Sequence, residues 1–540
     1  MKRRTFLKSA LATGAAAPLF LDGIQVQAKN PLKFLAQLPT AQDDDKILII
    51  VQLFGGNDGI NMLPPADDQR YFDLRPNIAV PKAKAWTNAS IPGVYFHPSL
   101  STGDKGGLTT MLQQGNLAVV RNVGYPYPNL SHFRSTDIWL SGVNDSNPDD
   151  RLDTGWVGRY LQQKYPNFPV DLPTDPLAIQ FGGFSLALES KVGRMGIEVN
   201  DPSKQQGVIS SSDALDDQSA NTAYFDEYQF VADIAARSDK YAQRVKDTYA
   251  TGKGLIKGKY KSGDAFATQM ANCAALIAGG LQTKVYVVSM GGYDTHVSQT
   301  LQGDGSIGAH ANLLSSLSDG IAQFMNDMIR LNLADRVVGL TISEFGRRPE
   351  ENGSFGTDHG AASVQFVFGT QVNSGIYGAP FDLNNFDENS NLSYSRDFRT
   401  VYLDVLTAWF GMSLDDARLN LKGGRSDQGD VDFLSPAGTI KSQTSGVYQP
   451  STVESTFSIS SNYPNPFINS TTLVLQLPQS GAVSIEVTDI AGRKVAEGFS
   501  GTLAAGTQQI PLALDLTRGT YMVVARSEFG TATRMIEGGR

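Results

Sequence analysis

The 540-residue chain has one cysteine, Cys273, which excludes both an internal disulfide framework and any zinc site built on thiolates. Charge is sparse at 18%, and acidic residues outnumber basic ones, 54 to 45, for a formal net charge of −9. That balance excludes the electrostatic footprint of a protein that coats nucleic acid or anionic membrane. No transmembrane helix is expected: the apolar stretch at residues 10–21 is about twelve residues, against the roughly twenty that a bilayer-spanning helix needs. What the chain does have is length beyond one ordinary domain and 41% hydrophobic residues, ample for a large core.

The two ends differ in texture from the middle. Residues 1–28 begin with Lys2, Arg3, Arg4 and Lys8, continue through the short apolar stretch, and close on a small-residue cleavage site at Val26-Gln27-Ala28. The segment Arg3-Arg4-Thr5-Phe6-Leu7-Lys8 resembles a twin-arginine export signal, which implies export of a folded protein through that machinery. Loss of this leader would leave 41 Lys+Arg against 53 Asp+Glu, a net charge of −12. Residues 426–455 are rich in Gly, Ser, Thr, Asp and Gln and read as a linker. From 456 to 540, short β-prone runs separated by turn signals predict a small β-sandwich. The motifs Asn462-Tyr463-Pro464-Asn465-Pro466-Phe467, Asp489-Ile490-Ala491-Gly492-Arg493 and Gly519-Thr520-Tyr521 resemble the C-terminal sorting domain of type IX secretion. The resemblance implies the type IX machinery as a partner and a destination at the outer-membrane surface or outside the cell.

Residues 45–425 read as an α/β domain with a doubly wound, mostly parallel sheet. Near-continuous apolar runs at 47–54, 117–123, 284–290, 337–342 and 364–368 predict strands buried on both faces. Between them, residues 305–333 carry apolar side chains at helical spacing: Leu313, Leu314, Leu317, Ile321, Phe324 and Met328. Sites in such sheets form beyond the carboxyl ends of the strands. The first strand is followed by Gly55-Gly56-Asn57-Asp58-Gly59, and the second by Asn129-Leu130-Ser131-His132-Phe133. The third leads into Gly291-Gly292-Tyr293-Asp294-Thr295-His296, and the fourth into Ser343-Glu344-Phe345-Gly346-Arg347. Gly356-Thr357-Asp358-His359-Gly360 precedes the fifth.

Two pairs in Gly-rich loops, Asp294 with His296 and Asp358 with His359, are candidate ligands for a divalent ion, with Glu344 on the same rim. Mixed carboxylate and imidazole donors suit zinc, manganese, magnesium or calcium. Ser131 stands where a helix begins, as nucleophile or plain N-cap, with Ser135 in reserve. His132 is a second candidate for catalysis. Arg347 and Arg134 can grip a phosphate or sulfate, or serve as ordinary salt-bridge partners. His97 and His310 read as structural, and Cys273, on a small-residue helix, as a packed core thiol.

The motifs GGNDG, NLSHFRSTDIW, GWVGRYL, GGYDTH, EFGR, ENGSFGTDHGAA and SRDFRTVY, in that order, resemble the family catalogued as domain of unknown function 1501. That family is grouped with the alkaline phosphatase and sulfatase-like superfamily. The resemblance implies metal-ligand roles for Asp58, Asp294, His296, Asp358 and His359, and a nucleophile role for Ser131. The chain departs from that pattern in two ways. No histidine follows His359, where two-zinc phosphatases use one, and no C/S-x-P-x-R sequence for formylglycine occurs. The expected function is an exported metal-dependent hydrolase of phosphate or sulfate esters, small or polysaccharide. The alternative is a non-catalytic surface binding protein on a hydrolase-like core.

Overall fold

The computed structural model describes residues 45–205, 241–441 and 457–538 apart from scattered short gaps, together with two three-residue strands at Leu19–Leu21 and Ile24–Val26. Most of the expected leader lies outside the described residues. The chain divides into two compact units, one ending at Gln443 and the other running from Thr444.

The larger unit is built on a nine-stranded mixed sheet. In chain order its strands are β1 (Ile47–Leu53), β2 (Leu117–Gly124), β3 (Ala178–Gln180), β4 (Ile197–Glu198), β5 (Val285–Met290), β6 (Val337–Ile342), β9 (Ser363–Phe368), β10 (Gly375–Tyr377) and β11 (Arg396–Asp397). A separate hairpin, β7 (Gly346–Glu351) and β8 (Thr357–Gly360), stands between β6 and β9. The spatial order is β4-β3-β5-β1-β6-β9-β2-β10, with β11 also on β2. All seven residues of β1 are buried. Ile47, Ile49, Val51 and Leu53 point into one apolar cluster, and Leu48 and Ile50 into another on the opposite face. This strand alternation needs apolar cover on both sides, and helices supply it.

On one face, α4 (Ala265–Ala278) and α5 (Ala309–Arg330) pack with α1 (Gly107–Gln113). Leu314, Leu317, Ile321, Phe324 and Met328 form the buried stripe of α5, as the 3.6-residue period predicts. Cys273 lies buried in α4, a core thiol by position. On the other face, α2 (His132–Ser141), α3 (Trp156–Lys164), α6 (Arg399–Asp404) and α7 (Leu414–Lys422) contribute Ile138, Trp156, Tyr402 and Leu421.

Two expectations change. The fifth predicted strand, β9, pairs antiparallel with both neighbours, Leu340 facing Val367 and Val119 facing Phe366. A parallel return would need a crossover to the other end of the sheet. The residues between β6 and β9 are spent on the β7–β8 hairpin instead, so the chain re-enters at the end where β6 stopped. Ser363 therefore lies opposite Val123 at the carboxyl end of β2, and the start of β9 reaches the rim. Of the expected linker, 426–455, residues 428–441 pack on the larger unit: Val431 and Ile440 are buried, and Ile440 bridges to Val372. The cause is Asp404, whose carboxylate accepts the Gly438 and Thr439 backbone N–H groups at 2.9 and 2.6 Å.

The second unit contains two antiparallel sheets. β12 (Ser458–Tyr463), β13 (Ser470–Leu477) and β16 (Gly506–Ala513) form one in the order β12-β13-β16. β14 (Gly481–Asp489), β15 (Lys494–Leu503), β17 (Gly519–Ser527) and β18 (Gly530–Gly538) form the other, ordered β15-β14-β17-β18. Leu473, Leu475 and Leu512 from the first sheet and Ile485, Val523 and Ile536 from the second belong to one buried cluster. Residues 464–466 and 490–492 of the sorting motifs lie outside the described residues.

Candidate metal centre

Five segments meet at the carboxyl end of the sheet, and glycine lets them close. Gly55 has φ +123, and a Cβ there would run into the backbone nitrogen of Asp294. Gly56 has φ +74, and its missing Cβ makes room for the Phe345 ring. Such backbone geometry with such close neighbours admits no other residue without strain. Arg347 then ties the loops together from beneath. Its buried guanidinium donates to the carbonyls of Gly56 and Thr357, each at 2.7 Å, and to those of Gly55 and Tyr293. It also reaches Asp294 Oδ1 at 2.7 Å.

Above Arg347 sit three imidazoles around Asp294. His132, Asp294 and His359 each offer a ligand atom within 4.8 Å of the others. His296 Nε2 adds to this group, 3.1 Å from Asp294 Oδ1 and 2.9 Å from His359 Nε2. Each ring is oriented from its far side. His132 Nδ1 donates to Glu344 Oε1 at 2.8 Å, His296 Nδ1 to Asp358 Oδ1 at 3.1 Å, and His359 Nδ1 to the Leu130 carbonyl at 2.9 Å. All three partners are acceptors, which favours the Nδ1–H tautomer of a neutral ring and, in that tautomer, leaves Nε2 as a lone pair turned inward.

The consequence is electrostatic. Two Nε2 lone pairs face each other at 2.9 Å between His296 and His359, beside an ionised carboxylate. A proton on one of the two Nε2 atoms, or a metal ion between them, would relieve that repulsion. Burial alone would raise the Asp294 pKa, but the hydrogen bond and charge of Arg347 outweigh it and hold the carboxyl below its usual range. Burial lowers the pKa of His359, with the Arg347 charge adding to it, which favours the neutral, ligand-competent ring. The buried Glu344 Oε2 has no hydrogen-bond partner, and a nearby cation would supply one. The residues present therefore fit a metal ion.

The expected site residues separate into distinct places. Asp294, His296 and His359 converge, and His132 joins them as a donor. Glu344 and Asp358 stand one layer out, orienting rings; Asp358 also accepts from Asn352 Nδ2, at 3.1 Å, and this bond leads in lowering its pKa. Asp58 is buried elsewhere: Oδ2 accepts from Arg75 at 2.7 Å and Gln299 at 2.6 Å, and Oδ1 caps the following helical turn through Asn61 N at 3.2 Å. Arg134 is bound to the Asp145 and Asp150 carbonyls at 2.7 and 2.6 Å, so neither it nor Arg347 extends a guanidinium toward a ligand. Ser135 is closed off between Tyr125 Oη, at 2.6 Å, and the Glu344 carbonyl. Ser131 is exposed at the N-cap of α2, and its side chain makes no capping hydrogen bond. His310 and His97 lie in the interior, on Asn57 Oδ1 at 3.0 Å and the Gly305 carbonyl at 2.8 Å.

Sequence reading missed the Leu130 carbonyl, Asn352, Arg75 and Gln299. Backbone carbonyls carry no residue signature, and Arg75 lies in a segment without a recognisable motif. Asn352 alone had a signal, as the turn residue in Glu351-Asn352-Gly353.

A family model described as Protein of unknown function (DUF1501) matches residues 118–406, more than half of the chain. A second model, Secretion system C-terminal sorting domain, matches residues 461–536 and points to delivery to the cell surface or beyond. Among the described residues no helix is long and apolar enough to cross a membrane. No curated protein matches. Solved structures with some likeness include Ps i-CgsB in complex with k-i-k-neocarrahexaose, at 9% identity and a TM-score of 0.32, covering 81% of this chain and 83% of that one. A mutant of alkaline phosphatase PafA gives 11% identity and 0.25, covering 57% and 64%. A Bacteroides thetaiotaomicron protein linked to glycosaminoglycan metabolism gives 8% and 0.32, covering 90% and 89%. Likenesses this distant leave function to be argued from the site itself.

Proposed function

We propose that this chain, which belongs to the family described as Protein of unknown function (DUF1501), is an exported metal-dependent hydrolase of phosphate or sulfate esters. The observation that carries the reading is the pair of bare Nε2 atoms, His296 and His359, facing each other beside Asp294. His132, His296, His359 and Asp294 would hold one divalent ion. A donor set dominated by imidazole favours zinc or a comparable transition ion over magnesium and calcium, which prefer all-oxygen shells.

A bound divalent ion would supply Lewis acidity toward an ester oxygen. The chain's own residues divide the remaining work. Glu344, Asp358 and the Leu130 carbonyl fix the rings, and Arg347 keeps Asp294 ionised and aimed. Ser131 is the nucleophile: it precedes the ligand His132, is exposed, and spends no side-chain bond on its own helix. The N-terminus of α2 favours negative charge at that position.

The larger unit serves as a doubly wound chemical domain, and the C-terminal sheets as the two halves of a β-sandwich. A twin-arginine leader would export the folded, loaded protein, and the sorting domain would pass it to the type IX machinery. The test is hydrolysis of 4-nitrophenyl phosphate, bis(4-nitrophenyl) phosphate and 4-nitrophenyl sulfate by metal-reconstituted full chain, with His359→Ala and Ser131→Ala as controls. Turnover that disappears on chelation, returns with metal and is lost in both variants is expected. Metal-loaded protein that cleaves none of the three would overturn the hydrolase reading.

A further inference from the structure

The segments that bear the candidate metal-site residues carry four apolar side chains that the fold does not bury. Phe133, next to His132, is 83% exposed; Val297, next to His296, is 66% exposed; and Phe355 is 54% exposed. Phe54 is partly exposed, with its ring stacked on His132 at a centroid distance of 6.2 Å. Isolated exposed apolar residues need no explanation, but four on the segments of one polar cluster do.

Phe355 is the most informative. Its φ is +57, a left-handed conformation that costs a bulky side chain about 1 kcal/mol or more. Burial of the ring does not compensate. Its position is nevertheless fixed: the Phe355 carbonyl accepts Gln299 N at 2.9 Å. The Asn352 side chain accepts the Ser354 and Gly356 N–H groups and donates to the His296 carbonyl, at 2.9, 3.2 and 2.9 Å. The backbone that carries this exposed ring is thus tied to the loop of His296. Meanwhile the two arginines that could have gripped an oxyanion, Arg134 and Arg347, are consumed by protein carbonyls and carboxylates.

We propose that Phe54, Phe133, Val297 and Phe355 form an apolar rim that recognises the flat, apolar part of the ester held at the metal centre, so that aryl esters are preferred over small alkyl esters. The inference rests on the proposed hydrolase function and names its substrate class. Discrimination comes from ring stacking and apolar contact rather than from a guanidinium clamp. Stacking on two rings gives about ten-fold or more in affinity.

The test is equilibrium binding of phenylphosphonate and methylphosphonate to the metal-loaded full chain, with metal content measured in parallel. Wild-type protein is expected to bind phenylphosphonate at least about ten-fold more tightly. Phe133→Ala and Phe355→Gly should each narrow the gap between the two affinities while metal stoichiometry stays that of wild type. Phe355→Gly separates this role from a structural one, because glycine suits the left-handed turn and should leave the melting temperature equal or higher. Equal binding of the two phosphonates by wild type, a preference that survives both substitutions, or no binding of either would overturn the rim. Equal binding with metal-dependent ester turnover would leave the hydrolase reading standing. A clear phenyl preference without turnover would leave the rim standing and overturn catalysis.

Discussion

Replacing Arg75 by Met tests whether Asp58 belongs to the fold or to the metal. Both side chains are fully buried, and Arg75 donates to Asp58 Oδ2 at 2.7 Å, Asn61 Oδ1 at 2.7 Å and the Pro349 and Arg348 carbonyls at 2.8 Å each. Burial on its own would raise the Asp58 pKa; the Arg75 charge leads the effects that hold it below the usual range instead. Removing Arg75 leaves that carboxylate in the interior with only Gln299 and the Asn61 N–H, a loss of about 3–5 kcal/mol. Asp58→Asn leaves the guanidinium short of its counter-charge and should cost a similar amount. The double variant removes both charges, so its loss should fall well below the sum of the two single losses. Denaturation followed by tryptophan fluorescence is a clean assay, since Trp86, Trp139, Trp156 and Trp409 all lie in the larger unit. Metal content should be unchanged in folded Asp58→Asn protein. Additive losses, or a metal-free Asp58→Asn variant of undiminished stability, would refute the reasoning.

Three further outcomes are expected. Glu344→Ala frees the far side of His132 and should weaken metal binding about 10–100-fold, measured by competition with a chromophoric chelator. Acid should destabilise the larger unit through His310 and His97, whose pKa values burial pushes down to about 3 and about 4 from 6.5. In the unfolded chain both take up protons first, so stability is full above about pH 6.5 and falls as the pH drops toward the folded values; at pH 5 each accounts for about 2 kcal/mol. A denaturation midpoint that does not move between pH 7 and pH 5 would contradict this. Finally, Cys273 should resist a thiol reagent such as 5,5′-dithiobis(2-nitrobenzoate) until the protein is unfolded, because burial both covers the thiol and raises its pKa.

The sheet was legible because its strands are unbroken apolar runs, and the rim because polar residues follow them. The reversal of β9 was not legible: residues 363–368 read the same in either direction, and only pairing with β2 and β6 sets the sense. Asp294, His296 and His359 were recoverable from Gly-rich loops beside buried strands. Asp58 looked equivalent by the same rule, yet Arg75, seventeen residues away, consumes its carboxylate. Arg347 looked like a ligand clamp because guanidinium chemistry permits it. Its partners turned out to be four backbone carbonyls and Asp294, which no residue pattern announces. His132 was placed at the rim by its loop, but the bond to Glu344 that aims its ring was not readable in the sequence.

The metal ion proposed for the facing imidazoles is the centre of the account, and elemental analysis of the purified full chain tests it most directly. One transition-metal ion per chain in wild-type protein, with loss of that ion in folded His359→Ala protein, is the predicted result. Wild-type protein that holds no stoichiometric ion after reconstitution, or His359→Ala protein that keeps it undiminished, would contradict the account.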